Sequence, residues 1–424
     1  MIRHKSFYIY QVADVLFTSS CRALAMLFTW AMIDVYGLQV ELGWFISSSW
    51  ALQVTTLILF GFISDRFDKK KIVLTCSGIT LVSVALLNLT TIDNHYQIGL
   101  IYLISSVLAI AIQPIGSSIA PCLYQDENLE KAFKVRGFVN SINMILGAAI
   151  SGFVISRFDI NNTLIIINFS IVASFFLFFG VKPDRSQERE KEEAATNSVK
   201  ILFLNKTERV LVFVCSLSNF ILMPLLSYIV PIKIIDEYYS GTVELGISES
   251  LFGVGMIVGS TYLSSKFNKW FGVKNTTVAS INFLSMGLLL IVFINSLWAI
   301  YAGLFVAGLG VVIYNVNTTN IRCSATPPEM RNSFESIFLA FCIISIPLGL
   351  AFSTFMVKVG NIDSILMIFA ASISIASVFV MTSRGFNKVS KLSPNDLNGA
   401  YAKMYPDVYQ KNQDSFGKGV GNGV

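Results

Sequence analysis

Charged residues are scarce in this 424-residue chain. Asp, Glu, Lys and Arg make up 13% of it, whereas hydrophobic residues make up 54%. Soluble globular domains contain about 25% charged residues. This composition excludes a soluble enzyme of this length and predicts a membrane protein with several spans. The net charge of +5 gives no indication of a nucleic-acid partner.

Histidine is nearly absent, which removes most metal chemistry. His4 and His95 are the only two histidines, too few for a His-based zinc site, and neither HExxH nor GxxxxGK[ST] occurs. A metalloprotease and a P-loop ATPase are therefore excluded. The six cysteines lie in apolar stretches or beside their basic ends, and we interpret them as small core residues. We expect neither a metal nor an organic cofactor.

Long apolar runs are abundant. A hydrocarbon core about 30 Å thick is crossed by about 20 helical residues, and the runs here are continuously apolar, whereas barrel strands would alternate every second residue. The predicted spans are 9–33, 42–63, 72–92, 97–121, 136–156, 163–181, 210–232, 246–265, 275–294, 296–320, 334–357 and 363–383. We predict an all-α membrane protein with twelve transmembrane helices, the first retained rather than cleaved as a signal peptide.

Polar, charge-rich segments divide the chain. Eight of the ten residues from Asp184 to Glu193 are charged, which predicts a solvated linker. The predicted domains are an N-terminal six-helix bundle at 1–181, a charged cytoplasmic linker at 182–208, a C-terminal six-helix bundle at 209–383 and a polar, disordered cytoplasmic tail at 384–424. With the N-terminus inside, 27 cations fall on the cytoplasmic side and three outside. Both termini are therefore expected in the cytoplasm.

The two predicted bundles carry related sequences at the same position. Helix 2 runs into SDRFDK at Ser64–Lys69, and helix 8 runs into SSKFNK at Ser264–Lys269. Parallel repeats of this kind are typical of transporters whose substrate site lies near the membrane midplane between the halves. We therefore expect the two bundles to be pseudo-symmetric.

The loop after helix 2 reads GFISDRFDKKK from Gly61 to Lys71. It resembles the GxxxDRxGRRx signature of the major facilitator superfamily. Gly61 and Asp65 share one helix face, where glycine permits close helix approach and the carboxylate can meet a helix N-terminus or an arginine. The resemblance implies the major facilitator fold in a bacterial cytoplasmic (inner) membrane, with a cytoplasmic gate formed by Gly61, Asp65, Arg66 and Lys69. A plain positive-inside loop is the alternative.

Asp68 stands where the general signature has glycine. This DRFD form resembles the branch that contains macrolide efflux proteins and enterobactin-type siderophore exporters. Two further stretches match that branch: a proline near the end of helix 4 followed by an acidic patch at 126–131, and a Pro-Glu-x-Arg loop at 328–331. Helix 5 keeps Gly147 and Gly152 but lacks the proline of the exporters' GPxxGG-like turn, so the direction of transport stays open.

Helix 1 carries two ionisable residues at membrane depth, Asp14 and Arg22. Each costs about 2.5 to 3.5 kcal/mol to insert, and with Gln11 and Thr18 they recur at steps of three and four, which predicts a polar stripe facing a cavity. They are about 12 Å apart along the axis, so each needs a partner elsewhere. We interpret Asp14 as the proton-coupling residue and Arg22 as a contact for anionic cargo. A packing role at the cytoplasmic edge is the alternative for Asp14.

Polar residues in other helices complete the candidate substrate cavity. Helices 1, 4, 7 and 10 line the cavity in this superfamily, so the resemblance implies cargo contacts for Gln113, Asn219 and Asn315. Asn143 in helix 5 is a further candidate. The alternative for each is an interhelical hydrogen bond, worth about 0.6 kcal/mol.

The combined features predict a secondary active transporter. The favoured form is a monomeric, proton-coupled antiporter that exports an amphipathic small molecule, a siderophore or a drug such as a macrolide, with the proton gradient as its energy source. Such activity contributes to multidrug resistance or siderophore export. Its expected partners are the cargo, anionic in our interpretation of Arg22, and membrane lipid. Two alternatives remain: an importer of a nutrient or siderophore, and a transport-dead sensor.

Overall fold

The computed structural model describes residues 2–63, 68–89, 95–123, 129–181 and 195–409, which are almost entirely helical. The first half contains α1 (Ile2–Trp30), α2 (Gln39–Ile63), α3 (Lys69–Leu89), α4 (His95–Leu123), α5 (Leu129–Arg157) and α6 (Ile160–Gly180). The rest contains α7 (Ala195–Leu204), α8 (Lys206–Pro224), α9 (Val230–Ile232), α10 (Thr242–Val258), α11 (Ser264–Phe293), α12 (Leu297–Ala325), α13 (Arg331–Val359), α14 (Ile362–Thr382), α15 (Arg384–Val389), α16 (Pro394–Leu397) and α17 (Ala400–Met404).

The described residues contain eleven helical segments long and apolar enough to cross a membrane. One of them, Thr242–Phe293, has 52 residues and would measure about 78 Å as one helix, more than twice the hydrocarbon thickness. Gly272 interrupts it with a φ of 77°, a left-handed conformation that glycine adopts without steric cost. The segment therefore holds two crossings, and the predicted fold of twelve transmembrane helices is confirmed.

Two prolines shape the seventh crossing. Pro224 ends α8 and precedes a π-helical turn at Leu225–Ile229, and Pro231 lies in α9 just before a second π turn at Lys233–Glu237. Proline has no N–H and its ring displaces the carbonyl four residues earlier, so the helix widens locally to keep its remaining hydrogen bonds.

The chain forms two compact units. Unit 1 comprises Met1–Arg189, Met223–Gly253 and Pro347–Gly360, and unit 2 comprises Glu190–Leu222, Val254–Ile346 and Asn361–Val424. In unit 1, α1 packs against α4, α5 and α6; in unit 2, α11 packs against α12 and α14. The units differ from the predicted domains because two segments from the second half of the sequence belong to unit 1.

Small residues allow one of these segments to pack on α5. Thr242 Oγ1 donates to the Gly152 carbonyl oxygen at 2.9 Å, and Ser250 Oγ donates to the Ile145 carbonyl oxygen at 2.8 Å. A Cβ atom added to Gly246 would meet the backbone of Ala148 at 2.7 Å. Backbone-to-backbone contact therefore depends on these glycines, as in other small-residue helix pairs.

In unit 2, glycines likewise allow α11 and α12 to pack closely. A Cβ atom on Gly287 would collide with the Gly303 carbonyl, and one on Gly310 with the carbonyl of Ser280. The two helices therefore approach closely along their length, which leaves the faces toward α8 and α13 for larger polar side chains.

The structure adds helices within the ranges of the predicted linker and tail. Residues Ala195–Leu204 are helical, with Ile201 and Leu202 buried. The disorder predicted from residue 384 is wrong for 384–409, where α15 to α17 bury Tyr401 and Tyr409. Polar composition concealed this because tyrosine combines a large apolar ring with a hydroxyl that can find a buried partner. Residues 182–194 and 410–424 lie outside the described part.

Candidate functional site

Asp14 lies in a buried ion pair with Arg136 of α5. Arg136 Nη1 donates to Asp14 Oδ2 at 3.1 Å, and both side chains are less than one-tenth exposed. The guanidinium carbon of Arg136 also lies 6.0 Å from the centre of the Tyr10 ring. Arg136, at the first position of the predicted span 136–156, supplies the partner that Asp14 required.

Arg22 has different partners from Asp14. Its Nη1 donates to the Met144 carbonyl oxygen at 2.9 Å and lies 3.9 Å from Glu249 Oε2 of α10. The side chains of Arg22 and Glu249 are each about one-third exposed. Arg22 and Asp14 therefore do not pair with each other, in agreement with their separation along α1.

Asn143 joins α1 to α5. Its Nδ2 donates to Thr18 Oγ1 at 2.6 Å, and its Oδ1 accepts from the Ser19 hydroxyl. Both ends of the amide are engaged between helices, which favours the interhelical role over a direct cargo contact.

Of the four residues of the predicted gate, the structure describes only the first and the last. Asp65 and Arg66 lie outside the described residues, and Gly61 is described only as part of the α2 backbone. Lys69 begins α3, and the backbone N–H of Lys70 donates to Asp68 Oδ1 at 2.9 Å. Asp68 is thus the N-cap of α3, a position that favours aspartate over most residues. This explains locally why the chain has aspartate where the general signature has glycine.

Unit 2 contains a cavity of about 250 Å³ between α8, α11, α12 and α13. Two predicted residues, Asn219 and Asn315, line it. Asn219 Nδ2 donates to the Cys342 carbonyl oxygen at 3.0 Å, whereas Asn315 is exposed. The side chain of Gln113, the third candidate, lies outside the described part. Apolar side chains complete the wall: Ile281, Leu284, Val311, Phe338, Leu339 and Ile343.

The cavity also has a buried cation that the sequence analysis missed. Arg322 lines it and is 2% exposed. Its Nε and Nη2 donate to the two carboxylate oxygens of Glu335 at 2.5 and 2.9 Å, and its guanidinium lies 3.5 Å from the centre of the Phe338 ring. Its Nη1 has no hydrogen-bond partner among the described residues.

Helical spacing is the signal that could have found Arg322. It follows Asn315 by seven residues and Thr318 by four, so all three lie on one face of α12. The predicted span 296–320 ends before Arg322, which therefore fell among the 27 cations assigned to the cytoplasmic side. The residue was not recognised as helical because α12 is longer than the predicted span and continues to Ala325.

Twelve crossings, buried ion pairs and an amphipathic cavity lined by helices are features expected of a membrane transporter. The family model of the Major Facilitator Superfamily matches residues 14–332 and, in a second match, 212–396. The chain belongs to the Major Facilitator Superfamily, and it is an integral membrane protein and a secondary transporter.

Several relatives carry transport names. Macrolide efflux protein A of Streptococcus pyogenes is 24% identical over 314 residues, covering 69% of this chain and 75% of that protein. The protein of the same name from Enterococcus faecalis is 25% identical over 217 residues, covering 48% of this chain and 65% of its own length, just under two thirds. The MFS-type transporter YkuC of Bacillus subtilis is 24% identical, covering 73% and 76%.

Solved structures share the fold at low identity. The nucleoside transporter NupG superposes with a TM-score of 0.70 at 15% identity, covering 90% of this chain and 98% of that one. A D-xylose-proton symporter gives a TM-score of 0.69 at 12% identity, covering 89% and 96%. These similarities define the fold alone.

Proposed function

We propose that this protein is a proton-coupled exporter of an amphipathic small molecule, acting by alternating access in the bacterial cytoplasmic membrane. The observation that carries the proposal is the lining of the cavity in unit 2. Asn219, Asn315 and the guanidinium of Arg322 face aliphatic and aromatic side chains across it. A cargo that is apolar over most of its surface, with a few polar groups, suits such a lining.

Export is supported by the efflux relatives. Two proteins named macrolide efflux protein A align with this chain, one of them over 69% of it. A macrolide or a siderophore is therefore the cargo to test first. Import is the second candidate, since a D-xylose-proton symporter has the same fold.

Proton coupling is proposed to involve Asp14. Protonation would break its ion pair with Arg136 and leave a buried cation, a change large enough to shift the packing of α1 on α5. One charge crossing 100 mV supplies about 2.3 kcal/mol, a gradient of about fifty-fold. No cofactor is needed in this scheme, in which a monomer works in lipid with both termini in the cytoplasm.

The gate stays part of the proposal. By resemblance, Gly61, Asp65, Arg66 and Lys69 close the cytoplasmic side while the cavity opens outward. The capping of α3 by Asp68 supports a fixed geometry for this loop at one of its ends.

Inside-out membrane vesicles test the proposal. Vesicles from cells that produce the protein should accumulate a radiolabelled macrolide or a catecholate siderophore when their interior is acidified, and an uncoupler should abolish accumulation. Vesicles without the protein are the control. Uptake only into right-side-out vesicles under an inward proton gradient would contradict export and favour the importer.

A further inference from the structure

The C-terminal segment 384–409 is fastened to the first turn of α8. Tyr401 Oη donates to Glu208 Oε1 at 2.5 Å, the hydroxyls of Tyr405 and Thr207 lie 2.6 Å apart, and Asn205 Nδ2 donates to Tyr409 Oη at 3.1 Å. Three tyrosines spaced four residues apart thus meet three polar residues at the start of α8. Such matching indicates a specific docking rather than a loose tail.

The same segment is tied to the ends of α12 and α13. The backbone N–H of Gly399 donates to the Ser324 carbonyl oxygen at 3.0 Å, and Arg331 Nη2 donates to Asn398 Oδ1 at 2.7 Å. Residues 384–409 therefore connect the helix ends that surround Glu208.

Glu208 is fully buried, whereas its neighbours Lys206 and Arg209 are exposed. One carboxyl oxygen accepts the hydrogen bond from Tyr401, and the other, Oε2, has no partner among the described residues. An ionised carboxylate in this position would be desolvated without a cation of its own. The face it occupies continues through Leu211 and Cys215 at helical spacing toward the cavity.

The surrounding charges do not balance without a proton. The charged and titratable side chains that act on Glu208 are those of Arg322, Glu335 and Tyr401, and Tyr314, Cys323 and Tyr409 are affected by it in turn. Arg322 is the one cation in this group, and its Nε and Nη2 are bound to Glu335. Two carboxyl groups share one guanidinium, so a neutral cluster requires a proton on one of them.

The proton that a neutral cluster requires does not come from Tyr401. Burial is the main reason that the pKa of Tyr401 lies well above its ordinary value. Tyr401 therefore keeps its own proton and donates it to the hydrogen bond. Glu335 accepts hydrogen bonds from Nε and Nη2 of Arg322 and is partly exposed, which leaves Oε2 of Glu208 as the position for the proton.

We propose that Glu208 is a proton-binding site of unit 2, positioned by Tyr401 and linked to the cavity through Arg322. Arg322 lines the cavity and has a free Nη1, so the charge on Glu208 and the occupant of the cavity act on the same guanidinium. By linkage, each changes the affinity for the other. This coupling role rests on the proposed transport function, whereas proton binding by Glu208 does not.

Infrared difference spectroscopy on the full-length protein in lipid tests proton binding without any cargo. The wild type should show the carbonyl band of a neutral carboxylic acid that disappears at alkaline pH. The band should be absent from Glu208→Gln. It should move in Tyr401→Phe, which keeps the ring but loses the donor. Glu41→Gln is the matched control, since Glu41 lies in the first turn of α2 and is exposed; it should leave the band unchanged.

A further variant tests whether Glu208 and Glu335 share the charge of Arg322. In Glu335→Gln, Arg322 is released to pair with Glu208, so the band should be lost although Glu208 is intact. A band that persists in Glu208→Gln at wild-type intensity would overturn the proposal, and so would a Tyr401→Phe spectrum identical to the wild type. Failure of the vesicle assay with these spectra as expected would instead count against the proposed function alone.

Discussion

At the scale of single residues, charge pairs inside the membrane determine which side chains can change state. Asp14 and Arg136 are both buried and in direct contact, whereas Arg22 and Glu249 are partly exposed and 3.9 Å apart. A buried pair is costly to break, because the remaining charge loses its partner in a poorly solvated site. The looser pair is partly exposed to solvent, so its charges are easier to separate.

Asp14→Asn should abolish proton-driven transport and should also reduce stability, because it leaves Arg136 unpaired. The expected loss is about 3 to 5 kcal/mol, seen as a lower thermal midpoint in detergent. The double variant Asp14→Asn/Arg136→Gln should recover most of that stability without recovering transport. Transport restored together with stability would mean that Asp14 acts only in packing.

Arg22→Ala should weaken transport of an anionic cargo more than that of a cationic one, because its guanidinium is one-third exposed beside a single carboxylate. Competition assays with matched anionic and cationic compounds measure the ratio. Glu249→Gln is the opposite control. It leaves Arg22 without its counter-charge and should therefore shift the ratio in favour of the anionic cargo. Equal losses for both cargo classes would contradict charge recognition at this position.

At the scale of elements, glycine decides how closely α5 packs against α10. A Cβ atom on Gly152 would meet the backbone of Thr242, whereas Gly137 on the same helix has open space around it. Alanine substitutions at Gly137 and Gly152 therefore distinguish the effect of helix propensity on stability from the effect of helix packing.

Gly152→Ala should lower stability by about 1 to 3 kcal/mol, because α5 and the backbone at Thr242 must move apart. Gly137→Ala should leave stability unchanged or raise it by about 0.5 to 1 kcal/mol, since alanine favours the helix. Thermal unfolding of the two purified variants provides the comparison. Similar midpoints would show that the close contact is not required.

Deleting residues 384–424 should destabilise unit 2, because Glu208 and the buried rings of Tyr401 and Tyr409 lose their cover. Limited proteolysis at α7 and α8 should then become faster. A shorter deletion of residues 410–424 keeps every contact of the described segment and serves as the control. If the long deletion transports cargo with unchanged stability, the segment has no structural role.

At the scale of the whole molecule, the distribution of positive charge predicts the orientation in the membrane. Tyr239 lies in the connection between the seventh and eighth crossings and is 90% exposed, and Asp407 lies in the C-terminal segment and is also exposed. The positive-inside rule places the first outside the cell and the second in the cytoplasm.

Accessibility labelling measures this orientation directly. In a background without the native cysteines, Tyr239→Cys should react with a membrane-impermeant maleimide in intact cells. Asp407→Cys should react only in inside-out vesicles. The reverse pattern would invert the topology, and with it the assignment of the gate to the cytoplasmic side.

The amino-acid sequence by itself determined the class of the protein and its twelve crossings. Hydropathy is a local property, so a run of about 20 apolar residues must become a transmembrane helix wherever its neighbours lie. The motif after helix 2 is also local: its residues are contiguous in the sequence, so it indicated the superfamily without any knowledge of the fold. Asn219 and Asn315 were selected because the resemblance assigns their helices to the cavity wall, and both line the cavity of unit 2.

Only the tertiary structure decided the partners of the buried charges. Asp14 meets Arg136 across 122 positions, and Glu208 meets Tyr401 across 193. Such contacts depend on how helices pack, which no local pattern specifies. For the same reason a polar segment that looked disordered folds onto unit 2: its tyrosines are buried only because α8, α12 and α13 bring the polar groups that satisfy them into one place.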